Sequence, residues 1–179
     1  MALADEWVVL LDAQRRPSGA QLKSEVHHRD TPLHLAFSVH VHDDHDNTLL
    51  TRRAVTKQTW PGVWSNACCG HPGPGEDLID AVGRRLATEL GLVADTLEVA
   101  LPDFAYRAQD ASGVVENEVC PVFVAHVAGH QPVPVPDPAE VTEWAWLPRA
   151  QASALARQHP WLLSPWAVLQ FEQFDEPGS

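Results

Sequence analysis

One segment constrains the fold of this 179-residue chain more than any other. Over residues 76–90 the apolar side chains Leu78, Val82, Leu86 and Leu90 recur every four positions, and Gly91 follows directly. Residues four apart stack on one face of an α-helix, and a glycine just past the last turn is a common helix stop. The spacing predicts a helix over 76–90 with a single apolar stripe, and that stripe must be covered. The rest of the sequence supplies mostly runs of strand length. Residues 7–12 read as an edge strand, followed by a turn over 14–19. Residues 33–42 and 48–53 read as two strands of a hairpin, joined by a turn over 43–47. Residues 59–74, full of Trp, Cys, Gly and Pro, read as a structured loop with a short strand. Residues 104–108 and 116–127 read as strands around a turn at 110–113. Residues 131–138 read as a loop, 141–147 as a strand, and 148–158 and 164–174 as two further helices. This order implies an α+β chain, with a mixed β-sheet flanked by helices in an α/β/α sandwich. It is expected to form one domain over 1–179, with a core at about 7–170 and a short flexible C-terminal tail.

Composition narrows the function. A hydrophobic fraction of 45% with 20% charged residues is that of a globular chain. A net charge of −12 argues against a general nucleic-acid or anionic-membrane surface. An anionic substrate would then need Lys and Arg gathered locally, or a divalent metal. Three cysteines, two of them adjacent (Cys68, Cys69 and Cys120), are not a disulfide framework. The first residues show no basic region followed by an apolar run, and no apolar stretch reaches the ~18 residues that span a bilayer. A cytoplasmic enzyme in a reducing compartment is expected.

The predicted helix lies inside a recognisable spacing. Gly70 is followed after five residues by Glu76, after seven more by Arg84, and then by Arg85-Leu86-Ala87-Thr88-Glu89-Leu90-Gly91-Leu92. This resembles the Nudix box, Gly-x5-Glu-x7-Arg-Glu-U-x-Glu-Glu-x-Gly-U, where U is aliphatic. Both ends match and the middle departs. Arg85 and Thr88 stand where the box has carboxylates, so of the carboxylate cluster that holds metal against a diphosphate only Glu89 remains, with Glu76 upstream. Around the box lie Asp30-Thr31-Pro32-Leu33-His34-Leu35-Ala36-Phe37-Ser38, Trp60-Pro61-Gly62-Val63-Trp64-Ser65-Asn66, Cys69-Gly70-His71-Pro72, Tyr106-Arg107-Ala108, Glu116-Asn117-Glu118-Val119-Cys120-Pro121-Val122-Phe123 and Ser164-Pro165-Trp166. Together, over roughly residues 8–170, these resemble the type I isopentenyl-diphosphate isomerases, the Nudix-fold group.

The resemblance implies a Nudix fold and an isomerase that interconverts isopentenyl and dimethylallyl diphosphate. Its metal ligands would be His27, His34, His71, Glu116 and Glu118. The residue types agree with that. Glu116 and Glu118 are two apart on a strand, so their carboxylates face one side, and like charges there call for a metal or a proton. Three imidazoles with two carboxylates suit an octahedral divalent ion. A lone histidine is more often a surface or hydrogen-bonded core residue; it is the combination that points to a site. His27 is preferred to its neighbour His28 because His34 follows it by seven residues. His40, His42 and His45, with Asp43, Asp44 and Asp46, are read as a polar strand end and turn. Cys69 and Glu118, the latter near Tyr106, would serve as acid and base on opposite faces, with Trp166 offering a π face to a developing cation. Cys120 reads as a small buried residue and Cys68 as passive. Lys23, Arg53, Lys57 and Arg85 match diphosphate-contacting positions. The cofactors implied are a Mg²⁺ bridging the diphosphate, contacted by Glu89 and the Cys69 carbonyl, and Mn²⁺, Mg²⁺ or Zn²⁺ in the histidine–glutamate set, with no flavin. The partner is a small-molecule diphosphate, not nucleic acid or membrane, for a monomer or homodimer. Two rivals are a Nudix hydrolase of a nucleoside diphosphate derivative and a non-catalytic binding module. The first conflicts with the two missing box carboxylates, the second with a complete ligand and acid–base set.

Overall fold

The computed structural model describes residues 6–175. In chain order its elements are β1 (Trp7–Leu11), β2 (Pro17–Leu22), α1 (Lys23–Val26), β3 (His34–Leu35), β4 (Phe37–His42), β5 (Asn47–Arg53), β6 (Trp64–Ser65), β7 (Cys68–Gly70), α2 (Leu78–Leu90), β8 (Thr96–Leu101), β9 (Ala105–Gln109), β10 (Val115–Val119), β11 (Val122–His126), β12 (Val141–Pro148), α3 (Arg149–Gln158) and α4 (Pro165–Phe174). Among the described residues the strands form two sheets. The smaller has the order β2-β1-β3-β10-β9. The larger has the order β12-β5-β4-β11-β8, with β6 paired to β5 and β7 to β4.

The larger sheet carries the main core. Adjacent residues on a strand point to opposite faces. Accordingly Leu49 joins Phe37, Val39, Phe123 and the α2 residues Val82, Leu86 and Leu90, whereas Leu50 joins Ala152, Ala156, Leu163 and Phe171 from the α3–α4 side. The sheet is thus held between α2 and the α3–α4 pair. The apolar stripe of α2 is buried as its spacing requires, at roughly 1.5–3 kcal/mol per buried leucine or valine. The helix begins at Leu78, two residues later than predicted, because the Asp77 side chain caps it by accepting from the Ile79 N–H at 2.8 Å. It ends at Gly91 in the left-handed region (φ +63°), with closing bonds Gly91 N–H to Ala87 O and Leu92 N–H to Leu86 O.

Several expected boundaries change. β1 is not an edge strand, since it pairs with β2 on one side and with β3 at Leu10–His34 on the other. The turn expected over 14–19 lies over 12–16, where Asp12 Oδ1 accepts from the N–H groups of Gln14 and Arg16. The edge strand β2 then follows. It is mostly exposed and polar, so it lacks the alternation by which strands are recognised. β8, also largely exposed, went unpredicted although Leu97, Val99 and Leu101 alternate along it. The runs 33–42 and 116–127 each read as one strand, but both break in the middle. β3 and β10 are parallel neighbours in the smaller sheet, and β4 and β11 are parallel neighbours in the larger one. The two chains cross between sheets together, at Ala36 and at Cys120-Pro121, tied by Ala36 N–H to Val119 O (2.9 Å) and Ser38 N–H to Pro121 O (3.1 Å). Proline at 121 cannot donate to a ladder, which suits the break. The loop expected over 59–74 contains two short strands, β6 and β7. The expected flexible tail begins too early, because α4 continues to Phe174; residues 176–179 of that tail, like the first five residues, lie outside the described part. No helix among the described residues is long and apolar enough to cross a membrane.

Candidate active site

The double crossing gathers the predicted ligands. Glu118 on β10 is the register partner of His34 on β3 and of Tyr106 on β9, so the three side chains lie side by side on one face. Glu116 lies two residues earlier on that face. His27 follows α1, and His71 follows β7. The three imidazole centroids are 5.2–5.6 Å apart. His27 Nε2 is 3.0 Å from Glu116 Oε2, and His34 Nε2 and His71 Nε2 are each 3.3 Å from Glu118 Oε1. Ligand atoms of His27, His34, His71 and Glu118 all lie within 4.8 Å of one another, and Glu116 reaches the group through His27.

Of these contacts the one between His71 and Glu118 is a hydrogen bond, and the other two leave buried atoms unsatisfied. His27 Nε2, His34 Nε2 and Glu116 Oε2 are buried without a hydrogen bond, the 3.0 and 3.3 Å approaches being misaligned for one. Buried polar atoms are rarely left so. His34 Nδ1 donates to the Pro32 carbonyl at 2.9 Å, which turns the Nε2 lone pair toward the carboxylates. Burial drives His71 down to about 3, against the pull of Glu118, so its ring is a neutral donor. Burial pushes the Glu118 carboxyl up, but His34 and His71 outweigh it and hold it well below the usual carboxylate range. Converging lone pairs and an ionised carboxylate are what a divalent cation requires, and the residues fit one.

Beside this cluster, β7 runs antiparallel to β4 with Cys69 opposite Ser38 and Cys68 opposite Val39. The two adjacent thiols therefore point to opposite faces of the sheet. Cys68 joins the core under α2, whereas Cys69 packs with Tyr106 against Trp60, Trp166 and Cys120. Burial pushes the Cys69 thiol up to about 11 and the Tyr106 hydroxyl well above its ordinary value. Trp166 is buried, donates Nε1–H to Asn66 Oδ1 at 3.1 Å, meets Trp60 edge-on at 5.3 Å, and lies 5.6 Å from Tyr106. The Arg53 guanidinium sits 5.3 Å from its ring centroid, within cation–π range.

Three of the four predicted cations, Lys23, Lys57 and Arg85, are linked by carboxylates. Arg85, on α2, contacts Glu89 through Nε (2.8 Å) and Glu140 through Nη2 (2.9 Å), and also donates from Nε to the Cys69 carbonyl (3.3 Å). Lys57 pairs with the same Glu140, and Lys23 pairs with Glu6 at 2.5 Å. Glu6 in turn lies 3.9 Å from Arg85 Nη1. Arg53 donates to the carbonyl and hydroxyl of Thr59. Burial raises the Glu89 carboxyl pKa, and Glu89 Oε2 has no hydrogen bond despite the nearby Arg85. Glu89 and the Cys69 carbonyl thus converge on Arg85, as neighbouring cation contacts would.

Comparison with known proteins decides the family. The NUDIX domain family matches residues 32–167. The isopentenyl-diphosphate Delta-isomerase of Frankia alni is 55% identical over 172 residues, 96% of this chain and 87% of that protein. That of Paenarthrobacter aurescens is 52% identical over 176 residues, 98% of this chain and 94% of that protein. This chain belongs to the isopentenyl-diphosphate Delta-isomerase family of the NUDIX fold. A Deinococcus radiodurans protein of known crystal structure shares the fold, with a TM-score of 0.71 at 14% identity over 96% of this chain and 100% of its own.

The family frame explains the broken box. Glu76 and Arg84 are retained as a structural clamp: Glu76 accepts from the Gly73 N–H (2.8 Å) and from Arg84 (2.7 and 2.9 Å), and Arg84 also reaches the His71 carbonyl (3.4 Å). The pair ties the loop bearing His71 to α2. Thr88 turns its hydroxyl back onto the Arg84 carbonyl (3.0 Å). Gly70 is required by close packing, since a Cβ there would lie 2.7 Å from Phe37 Cζ.

Of the neighbouring histidines, His42 and His45 lie at the end of β4 and in the turn after it, whereas His40 is not part of a polar strand end but is fully buried within β4. His28 lies outside the cluster. His40 is buried and bonded to Gln170. Asp43, with His45 and His130 within 4.8 Å, closes the β4–β5 turn, its two oxygens accepting from the N–H groups of His45, Asn47 and Gln131 and from Asn47 Nδ2. Glu6, Glu140, Ser38 and Gln170 were not foreseen. The only signal for the two carboxylates was general, namely that buried cations need counter-charges.

Proposed function

We propose that this chain interconverts isopentenyl and dimethylallyl diphosphate, using Cys69 and Glu118 as proton-transfer groups on opposite faces of the substrate. The observation that carries this is the set of unsatisfied, converging ligand atoms of His27, His34 and Glu116 beside a Cys69 side chain turned away from Cys68. Moving the double bond adds a proton to one carbon and removes one from another. The reaction is reversible, so each group acts as acid in one direction and base in the other. A divalent ion (Mn²⁺, Mg²⁺ or Zn²⁺) held by His27, His34, His71, Glu116 and Glu118 would fix the Glu118 carboxyl and tune its proton affinity. Tyr106, kept protonated by burial, can donate a hydrogen bond toward Glu118 from the adjoining strand. Lys23, Arg53, Lys57 and Arg85 bind the diphosphate, with Glu89 and the Cys69 carbonyl holding a Mg²⁺ against it.

Trp166 stabilises positive charge that develops on the hydrocarbon. Trp166→Phe should retain partial activity and Trp166→Leu should lose much more, at similar thermal midpoints. Both variants lose the Nε1–H bond to Asn66, so the difference between them reports the ring and not that bond. A Leu variant that folds normally and turns over as fast as Phe would exclude the cation role.

Arg85→Glu restores a box carboxylate but places it beside Glu89 and Glu140 and removes the cation that both contact. It should raise KM at least tenfold and release no phosphate, because the second box carboxylate is still Thr88. Steady-state kinetics with a phosphate-release assay tests this; measurable diphosphate hydrolysis would contradict it. The assay that tests the function itself is isomerisation of labelled isopentenyl diphosphate before and after chelation.

A further inference from the structure

A line of buried polar groups runs to Cys69 from β4 and α4. His40 Nε2 lies 2.9 Å from Gln170 Oε1, Gln170 Nε2 lies 2.9 Å from Ser38 Oγ, and Ser38 Oγ lies 3.3 Å from Cys69 Sγ. His40, Gln170 and Ser38 are each fully buried, and the His40 ring is held edge-on between Phe171 and Phe174 at 5.0 Å from each.

The direction of the line follows from donor arithmetic. An amide oxygen only accepts, so His40 presents Nε2–H to Gln170. Its Nδ1, which has no partner, is then a bare lone pair, whereas the other tautomer would bury an unbonded N–H. Gln170 Nε2 donates to Ser38. The Ser38 hydroxyl, already accepting, has one hydrogen to give, and only the sulfurs of Cys69 (3.3 Å) and Cys120 (3.4 Å) are within its reach. On the other side of Cys69, Asn66 spends both amide hydrogens on the carbonyls of Val39 (3.0 Å) and Cys68 (2.9 Å). Its Oδ1 accepts from Ser65 Oγ (2.9 Å) and Trp166 Nε1 (3.1 Å), and Oδ1 and Nδ2 each lie 3.5 Å from Cys69 Sγ. The sulfur lies between the Ser38 hydroxyl and the Asn66 side-chain amide.

We propose that Ser38, oriented by Gln170 and His40, is a positioning residue that fixes the Cys69 sulfur in its proton-transfer direction. The inference rests on the reading of Cys69 as a proton-transfer group. A side chain with a single rotatable bond needs lateral contacts to hold it, and small misplacements of a reacting atom are costly in rate. Ser38, Gln170 and His40 are fully buried, so on this proposal their loss should lower kcat and leave KM alone.

The test is a set of variants assayed for kcat, KM and thermal midpoint. Ser38→Ala removes one atom and should lower kcat about tenfold with KM within about twofold. Gln170→Met keeps the volume and should lower kcat in the same way. Because the two act in series, the double variant should be no slower than the slower single one. Parental kcat in Ser38→Ala would overturn the proposal, and so would losses that multiply in the double variant. Should Gln170→Met fail to fold, His40→Leu takes its place in the cycle. Cys69→Ala is run alongside. If it is inactive while Ser38→Ala is normal, only the positioning proposal fails; if it is active, the reading of Cys69 fails with it.

Discussion

Replacing Cys69 by alanine is expected to lower kcat by about 10²–10⁴, whereas Cys68→Ala stays within a few-fold of the parent. The two thiols are neighbours in sequence, so composition does not separate them. Strand alternation does. Cys68 lies opposite Val39 and joins the α2 core, while Cys69 lies opposite Ser38 and packs with Tyr106 against Trp166. A loss of 10²–10⁴ corresponds to about 3–5 kcal/mol of transition-state stabilisation, more than a packing defect at this site would take from kcat. Cys68→Ala should instead show its cost in stability, as a small cavity beneath Leu86 and Phe37. Measuring kcat and thermal midpoint for both separates chemistry from packing. Equal behaviour of the two variants would mean that the wrong thiol, or the wrong mechanism, has been chosen.

Removal of divalent metal is expected to abolish turnover and also to lower the thermal midpoint. Without a cation, the unsatisfied His27, His34 and Glu116 atoms stay buried with no partner. A ligand that binds only the folded state, present at 100 times its Kd, stabilises by about 2.7 kcal/mol, or roughly 5–10 °C for a chain of this size. Both effects should reverse on adding Mn²⁺ or Mg²⁺. In Glu116→Gln the metal-dependent shift of the midpoint should shrink, a readout independent of catalysis. Full activity after exhaustive chelation, or a midpoint that ignores metal, would remove the metal from the account.

The clustering of the candidate ligands was legible in the sequence because strand periodicity puts Glu116 and Glu118 on one face, and the family resemblance supplied His27, His34 and His71. The helix was legible because four apolar residues on one stripe leave little choice. The path of the chain between sheets was not. Residues 33–42 and 116–127 are each of a length and composition that reads as one strand, and the paired crossing at Ala36 and Pro121 shows that each serves two sheets. β2 was missed because an exposed edge strand carries little apolar pattern, whereas β8 was missed although Leu97, Val99 and Leu101 alternate. Glu140 and Gln170 were missed for another reason. Each acts through long-range contacts, Glu140 with Arg85 and Lys57 and Gln170 with Ser38 and His40, and no local spacing encodes such contacts.

The central claim is tested most directly by incubating the protein with isotopically labelled isopentenyl diphosphate and a divalent metal, following the hydrocarbon signals and free phosphate together. The account predicts conversion to dimethylallyl diphosphate until the two isomers reach equilibrium, with solvent hydrogen entering the hydrocarbon and no phosphate released. Phosphate release without any isomerisation would contradict it and return the chain to the hydrolases that share its fold.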